Sequence, residues 1–220
     1  MKNRTKNILL LVMAVIAEFA VLIGIILFQQ NILMNFSLPV RAVLMIVIQW
    51  ALLIVPVAFM MCKKTHLKDI GFSNKYITKQ ILIGLTIAVV LSLVFTVIPI
   101  LLGFKEFVGS TTYTQSWQFV YQFAYMTIGI ALAEEVFYRG FLFKYLLDIN
   151  HSKWFAIIVS SLIFGLSHIV NGDVIQVFTT SLLGIFFCLC RDKITNCSML
   201  SLIIAHGFHN ALITLLVAVL

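Results

Sequence analysis

Apolar residues arrive in seven long runs, separated by short stretches where the polar and basic residues collect. The runs are Ile8–Phe28, Val40–Met61, Gln80–Leu102, Trp117–Leu147, Trp154–Val170, Val174–Cys190 and Met199–Val219. None alternates apolar with polar residues in the manner of a barrel strand. Each is near the ~20 residues an α-helix needs to cross the hydrocarbon core, the fourth being long and the fifth and sixth short. The pattern predicts an all-α, polytopic transmembrane helix bundle of about seven spans. It forms one membrane domain over residues 1–220, with three spans in 1–116 and a four-span core in 117–220.

Composition agrees. The 220 residues are 62% hydrophobic and only 10% charged, with a mean hydropathy of +1.10. A water-soluble fold has no way to hide that much apolar surface, because its own exterior must be wetted. A bilayer supplies the missing solvent, and lipid is therefore a partner of the chain. Met1 to Lys6 resemble the basic start of a signal peptide. The apolar run behind them exceeds the 7–15 residues of a signal h-region, however, and no A-x-A site closes it, so a retained anchor is expected.

The net charge of +7 changes the picture only through its placement. Lys2, Arg4, Lys6, Lys63, Lys64, Lys68, Lys75, Lys79, Lys144, Lys153, Arg191 and Lys193 all fall at one set of loops and span ends. Arg41 and Lys105 fall at the other set, and Arg139 lies inside a span. The positive-inside rule then places the N-terminus in the cytoplasm, and the short loops suggest a bacterial cytoplasmic membrane. This is membrane topology rather than a phosphate-binding face, and no nucleic-acid partner is expected. The longest basic connector, Lys63 to Lys79, interleaves Lys with Leu67, Ile70, Phe72, Tyr76 and Ile77. It reads first as a basic connector held near anionic headgroups, with an interfacial helix or turn as the alternative. Cys62, Cys188, Cys190 and Cys197 show no paired metal spacing and suit the role of small hydrophobes.

Candidate chemistry lies in the ionisable residues inside the apolar runs, each costly there and so a functional candidate. They are Glu18, Glu134, Glu135, Arg139, His168, His206 and His209. On a helix Glu134 and Glu135 diverge by about 100°, whereas Glu135 and Arg139 are spaced to pair along one face. Glu134 is left directed elsewhere. His206 and Asn210 share a helical face, with His209 on its flank. Ser167 beside His168 suggests a nucleophile pair, but sequence neighbours diverge on a helix and this pair is set aside. At about 1.5 Å per residue, Glu134 and His168 lie roughly 20 Å from the cytoplasmic ends of their spans, and His206 roughly 10–12 Å. Three spans thus bring polar groups toward the middle of the bilayer.

A carboxylate, two imidazoles and an amide suffice for hydrolysis of an acyl bond by water. Glu134 would act as general base, and His168 would orient the water or share its proton. His206 and Asn210 would donate to the developing oxyanion. One Glu and two His also make a divalent-metal triad. Residue types alone leave open whether Glu134, His168 and His206 hold zinc or another divalent metal, or act without one.

The spaced residues Glu134-Glu135 with Arg139, Phe164 with His168, and His206 with Asn210 resemble the E-E-x-x-x-R, F-x-x-x-H and H-x-x-x-N motifs of the CPBP family. These are the CAAX proteases and bacteriocin-processing enzymes, also called Abi proteins. All three motifs match in type, order and spacing, over about residues 117–220. The resemblance implies an intramembrane endopeptidase acting on a membrane-associated peptide or protein, in bacteriocin immunity, peptide maturation or signalling. It implies catalytic positions at Glu134, His168, His206 and Asn210, with Glu135, Arg139 and Phe164 supporting. His209, outside the motif, is a further supporting candidate. Two other readings fit the same residues: a non-catalytic scaffold or immunity factor of the same fold, and a proton-coupled transporter. The second lacks the paired repeats that such folds carry.

Overall fold

The computed structural model describes residues 2–170, 172 and 174–220. Met1 and the Lys2 side chain, both part of the basic N-terminal stretch, lie outside the described positions. Regular structure among the described residues is helical throughout. Six helices are long and apolar enough to cross a membrane: Arg4–Asn35, Leu38–Lys63, Ile77–Leu101, Lys153–Val170, Val174–Lys193 and Met199–Val219. The remaining run, expected as the fourth span, is helical from 116 to 150. With it in fourth place, the helices number first to seventh in chain order.

Most of the irregularities have a local cause. Pro56 offers no N–H to the carbonyl of Leu52, and the second helix tightens into a 3-10 segment at Trp50–Leu53 just before it. Pro99 likewise offers none to Phe95, and the third helix widens into a π segment at Leu93–Val97. The fourth helix contains no proline, yet it carries two π segments, Tyr125–Ala131 and Glu135–Leu142. Wide turns of this kind collect at functional sites, and here they flank Glu134.

The fourth helix runs through the middle of the bundle, touching the first, second, fifth and seventh. Its buried Phe137 and Phe141 rings join Phe59 of the second helix and Tyr145 in an aromatic cluster. The seventh helix lies closest to the third and fourth, and two glycines permit that approach. A Cβ on Gly84 would stand 2.7 Å from the Ser201 carbonyl oxygen, and one on Gly207 would stand 2.4 Å from Thr127 Cα. Small residues let membrane helices touch backbone to backbone. Gly207→Val is therefore expected to push the seventh helix off the fourth, lowering stability by about 1–3 kcal/mol. Thermal unfolding in detergent measures it, and an unchanged midpoint would contradict this packing.

The connector between the second and third helices is a turn rather than a surface helix. A single 3-10 turn, Leu67–Ile70, is closed by Asp69 accepting the His66 N–H at 2.9 Å. Ile70 is buried, and the Gly71 carbonyl accepts from Met199 N at 3.0 Å. Arg191 Nη1 donates to the Arg139 carbonyl at 2.7 Å and approaches the Ile70 carbonyl at 3.4 Å, tying connector, fourth helix and sixth helix together. The basic residues gather at this same end. Lys63 Nζ donates to Asn7 Oδ1, Lys153 pairs with Asp192, and Lys63, Lys64 and Lys144 border a cavity of about 450 Å³.

Candidate active site

The site begins on the fourth helix. Glu134 ends a short α piece, Leu132–Glu134, and Glu135 opens the π segment that comes next. Glu135 is fully buried, and its Oε1 lies 3.1 Å from Arg139 Nη1, so the two form the expected pair one turn apart. Arg139, only 1% exposed, stacks its guanidinium over Phe164 at 3.9 Å from the ring centroid, with Phe187 at 5.5 Å on another side. Planar stacking suits arginine, whose delocalised charge is weakly hydrated and attracted to a ring face.

His206 of the seventh helix fills the angle between the two glutamates. Its Nδ1 is 2.8 Å from Glu135 Oε1, and its Nε2 is 3.6 Å from Glu134 Oε2. The carboxylates diverge, as helix geometry requires, but they address opposite edges of one ring. Beside Arg139, Glu135 is an acceptor, so the imidazole proton sits on Nδ1. Nε2 of the neutral ring is then a lone pair, and it becomes a donor only in the imidazolium. The 3.6 Å approach to Glu134 is too long for a hydrogen bond. Glu134 itself is 16% exposed, and its Oε2 has no hydrogen-bond partner among the described residues.

His168 packs on Phe164 as well. The Phe164 ring is 4.9 Å from the His168 ring and 6.0 Å from the His206 ring, meeting both edge to face. His168 Nδ1 lies 3.0 Å from the Phe164 carbonyl, which accepts only, and this leaves His168 Nε2 as its acceptor atom. The separation expected of Ser167 and His168 needs correction. Ser167 Oγ comes within 3.4 Å of His168 Nδ1, because both side chains fold back on the same carbonyl. Both donate to it, so neither activates the other.

Asn210, half-buried one turn beyond His206, makes no side-chain hydrogen bond among the described residues. His209 turns away from His206 toward the third helix, its Nδ1 3.1 Å from Ser92 Oγ. That contact holds the third and seventh helices together.

Two residues join the site that motif spacing did not associate with it. Glu18 of the first helix is 1% exposed and lies within electrostatic range of Glu134. Tyr138 packs its ring on Phe164 at 5.1 Å and lies within electrostatic range of both Glu134 and Glu18. The charge of Glu18 inside an apolar run marks it in the sequence; nothing there marks its neighbours. Tyr138 carries no sequence signal beyond lying between Glu135 and Arg139.

The metal triad is a poor fit. Among the described residues no three His, Cys, Asp or Glu side chains are grouped to hold an ion. Glu134 and His206 approach one another at 3.6 Å, while His168 makes its contacts with Phe164 and Ser167.

The fourth and seventh helices of a membrane bundle thus hold a buried Glu–Arg–His cluster, with a second histidine packed on the Phe164 ring beside it. Residues 116–212 match the family model described as type II CAAX prenyl endopeptidase, Rce1-like. That segment contains all three motifs and is similar to the CPBP family of CAAX-type intramembrane proteases. No curated protein and no solved structure matches the chain.

Proposed function

We propose that the chain is an intramembrane endopeptidase that hydrolyses a peptide bond of a membrane-associated peptide or protein with a water activated by Glu134. The observation that carries this reading is the contact of Glu134 and Glu135 with the two nitrogens of His206, inside an apolar bundle and within the matched segment. Glu135, fixed by Arg139, orients the ring through Nδ1. That leaves Nε2 and the partly exposed Glu134 as the two groups free to handle protons. Glu134 takes one proton from water as its oxygen adds to the scissile carbonyl carbon. His168 Nε2 accepts the hydrogen bond of the second water proton.

Charge then develops on the former carbonyl oxygen. His206, which enters the cycle as the imidazolium with an Nε2 proton taken from solvent and keeps it throughout, and the unengaged Asn210 amide supply donors for it. Collapse breaks the C–N bond, and Glu134 returns its proton to the leaving amine. The products are an amine and a carboxylic acid, which gives its remaining proton to solvent, and the protein is unchanged. The site opens toward the basic end of the bundle, which the charge distribution assigns to the cytoplasm. Peptide maturation, signalling and bacteriocin immunity are the roles this activity would serve.

The test is digestion of a library of apolar peptides by the purified protein in detergent, in ¹⁸O-water. Cleavage with one ¹⁸O in each new carboxyl, absent from Glu134→Gln, is expected. It should persist with a strong chelator present, since the donor set does not fit an ion. A wild-type protein that cleaves no peptide overturns the reading.

A further inference from the structure

The first helix carries one acidic residue, and it is the least explained group in the protein. Glu18 is 1% exposed in the middle of an apolar run. Both of its carboxyl oxygens are buried without a hydrogen-bond partner among the described residues. Buried polar groups are nearly always satisfied, because desolvating one without a partner costs much of its hydration. An orphaned carboxyl inside a membrane bundle therefore points to a partner that comes and goes.

Its position says which partner. Ala14, one turn before Glu18, belongs to the buried cluster of Phe137, Tyr138 and Phe164, while Ile25, seven residues after it, belongs to the cluster of Ala133. Ala14, Glu18 and Ile25 share one helical face at spacings of four and seven. Glu18 is thus held at the level of Glu134, and the two carboxyls lie within electrostatic range, with Tyr138 beside them. As a neutral acid in these apolar surroundings, Glu18 offers one donor and one acceptor side by side. An extended peptide offers the complement, since the N–H and C=O of a single residue point to the same side. Within a bilayer such a peptide lacks water for those groups and needs protein partners for them.

Resting on the peptidase reading, we propose that Glu18 binds the substrate backbone, its carboxyl pairing with the N–H and C=O of one residue beside the scissile bond. The first helix then forms a wall of the substrate channel, and the family-matched segment does not make the site alone. Glutamine keeps a donor and an acceptor in the same places, whereas leucine keeps only the volume.

The experiment compares wild type, Glu18→Gln and Glu18→Leu on the best-cleaved member of the apolar peptide library, with melting midpoints measured in parallel. Glu18→Gln should keep KM within about threefold of wild type, while Glu18→Leu should raise KM by about 10- to 100-fold, the worth of two hydrogen bonds. Glu18→Leu should also melt no lower than wild type, because it removes an unsatisfied buried group. Unchanged KM in Glu18→Leu overturns the proposal, as does a Glu18→Gln variant whose KM rises as far as that of Glu18→Leu. Binding of the library peptides to Glu134→Gln, with and without Glu18→Leu, separates the two readings. If wild type cleaves nothing, the peptidase reading falls, and equal peptide binding with and without Glu18 removes this one independently.

Discussion

Arg139→Leu is expected to lower stability by about 3–5 kcal/mol, the usual cost of stranding one member of a buried ion pair. Glu135 has no exposure to water, and its two polar contacts are Arg139 and His206. Without the guanidinium its charge faces the apolar rings of Phe164 and Phe187 on which Arg139 packs. The double variant Glu135→Leu/Arg139→Leu removes both charges and should recover most of the loss, because apolar residues of similar volume replace a buried pair without penalty. It should remain inactive, since His206 Nδ1 has lost the acceptor that sets its tautomer. Melting midpoints of the three proteins in one detergent check the first part and peptide cleavage the second. A double variant as unstable as Arg139→Leu would mean that arginine acts by packing on Phe164 rather than by neutralising Glu135.

That separation of stability from activity bears on how much could be read in the chain. The helix ends were legible to within a few residues at most ends: Val40–Met61 became Leu38–Lys63, and Met199–Val219 was unchanged. Lipid leaves a chain no other way to satisfy its backbone than helices or closed barrels, so apolar runs report spans almost directly. Six of the spans meet the length and hydropathy of a crossing helix, and the fourth is helical but interrupted, in keeping with about seven. Its two π segments were not legible. No proline announces them, and they arise where close packing against the seventh helix governs the backbone.

The site was legible where one helix makes it and obscure where several do. Glu135 and Arg139 pair at a spacing visible in the sequence. His206 was expected near Glu134, but its bridging of both glutamates depends on the depth at which Gly207 seats the seventh helix. His209 looked like a partner for His206 and instead turns to Ser92, because the third helix packs on that flank. Glu18 could be flagged as a buried charge but not placed, since more than a hundred residues separate it from Glu134. The connector from Lys63 to Lys79 was read by its charge as a surface element. The hydrogen bonds of Arg191 to Arg139 and Ile70 draw it inward, which no local pattern encodes.

Glu134→Gln is expected to reduce kcat by about 10²–10⁴-fold, the range for loss of a positioned general base. The fold should be untouched, since Glu134 Oε2 has no hydrogen bond to lose and the side chain is partly exposed. His206→Gln should reduce kcat by about 10²–10³-fold, as for loss of an oxyanion donor. The two losses are not expected to multiply. Glu134 and His206 face each other at 3.6 Å, and groups that act as a unit show grossly non-additive effects when removed together. The double variant should therefore be about as slow as the slower single one. Single-turnover rates on one peptide, with melting midpoints to confirm folding, decide it. Losses that multiply would mean that carboxylate and imidazole work on separate steps, and would assign proton transfer to Glu134 with His168 alone.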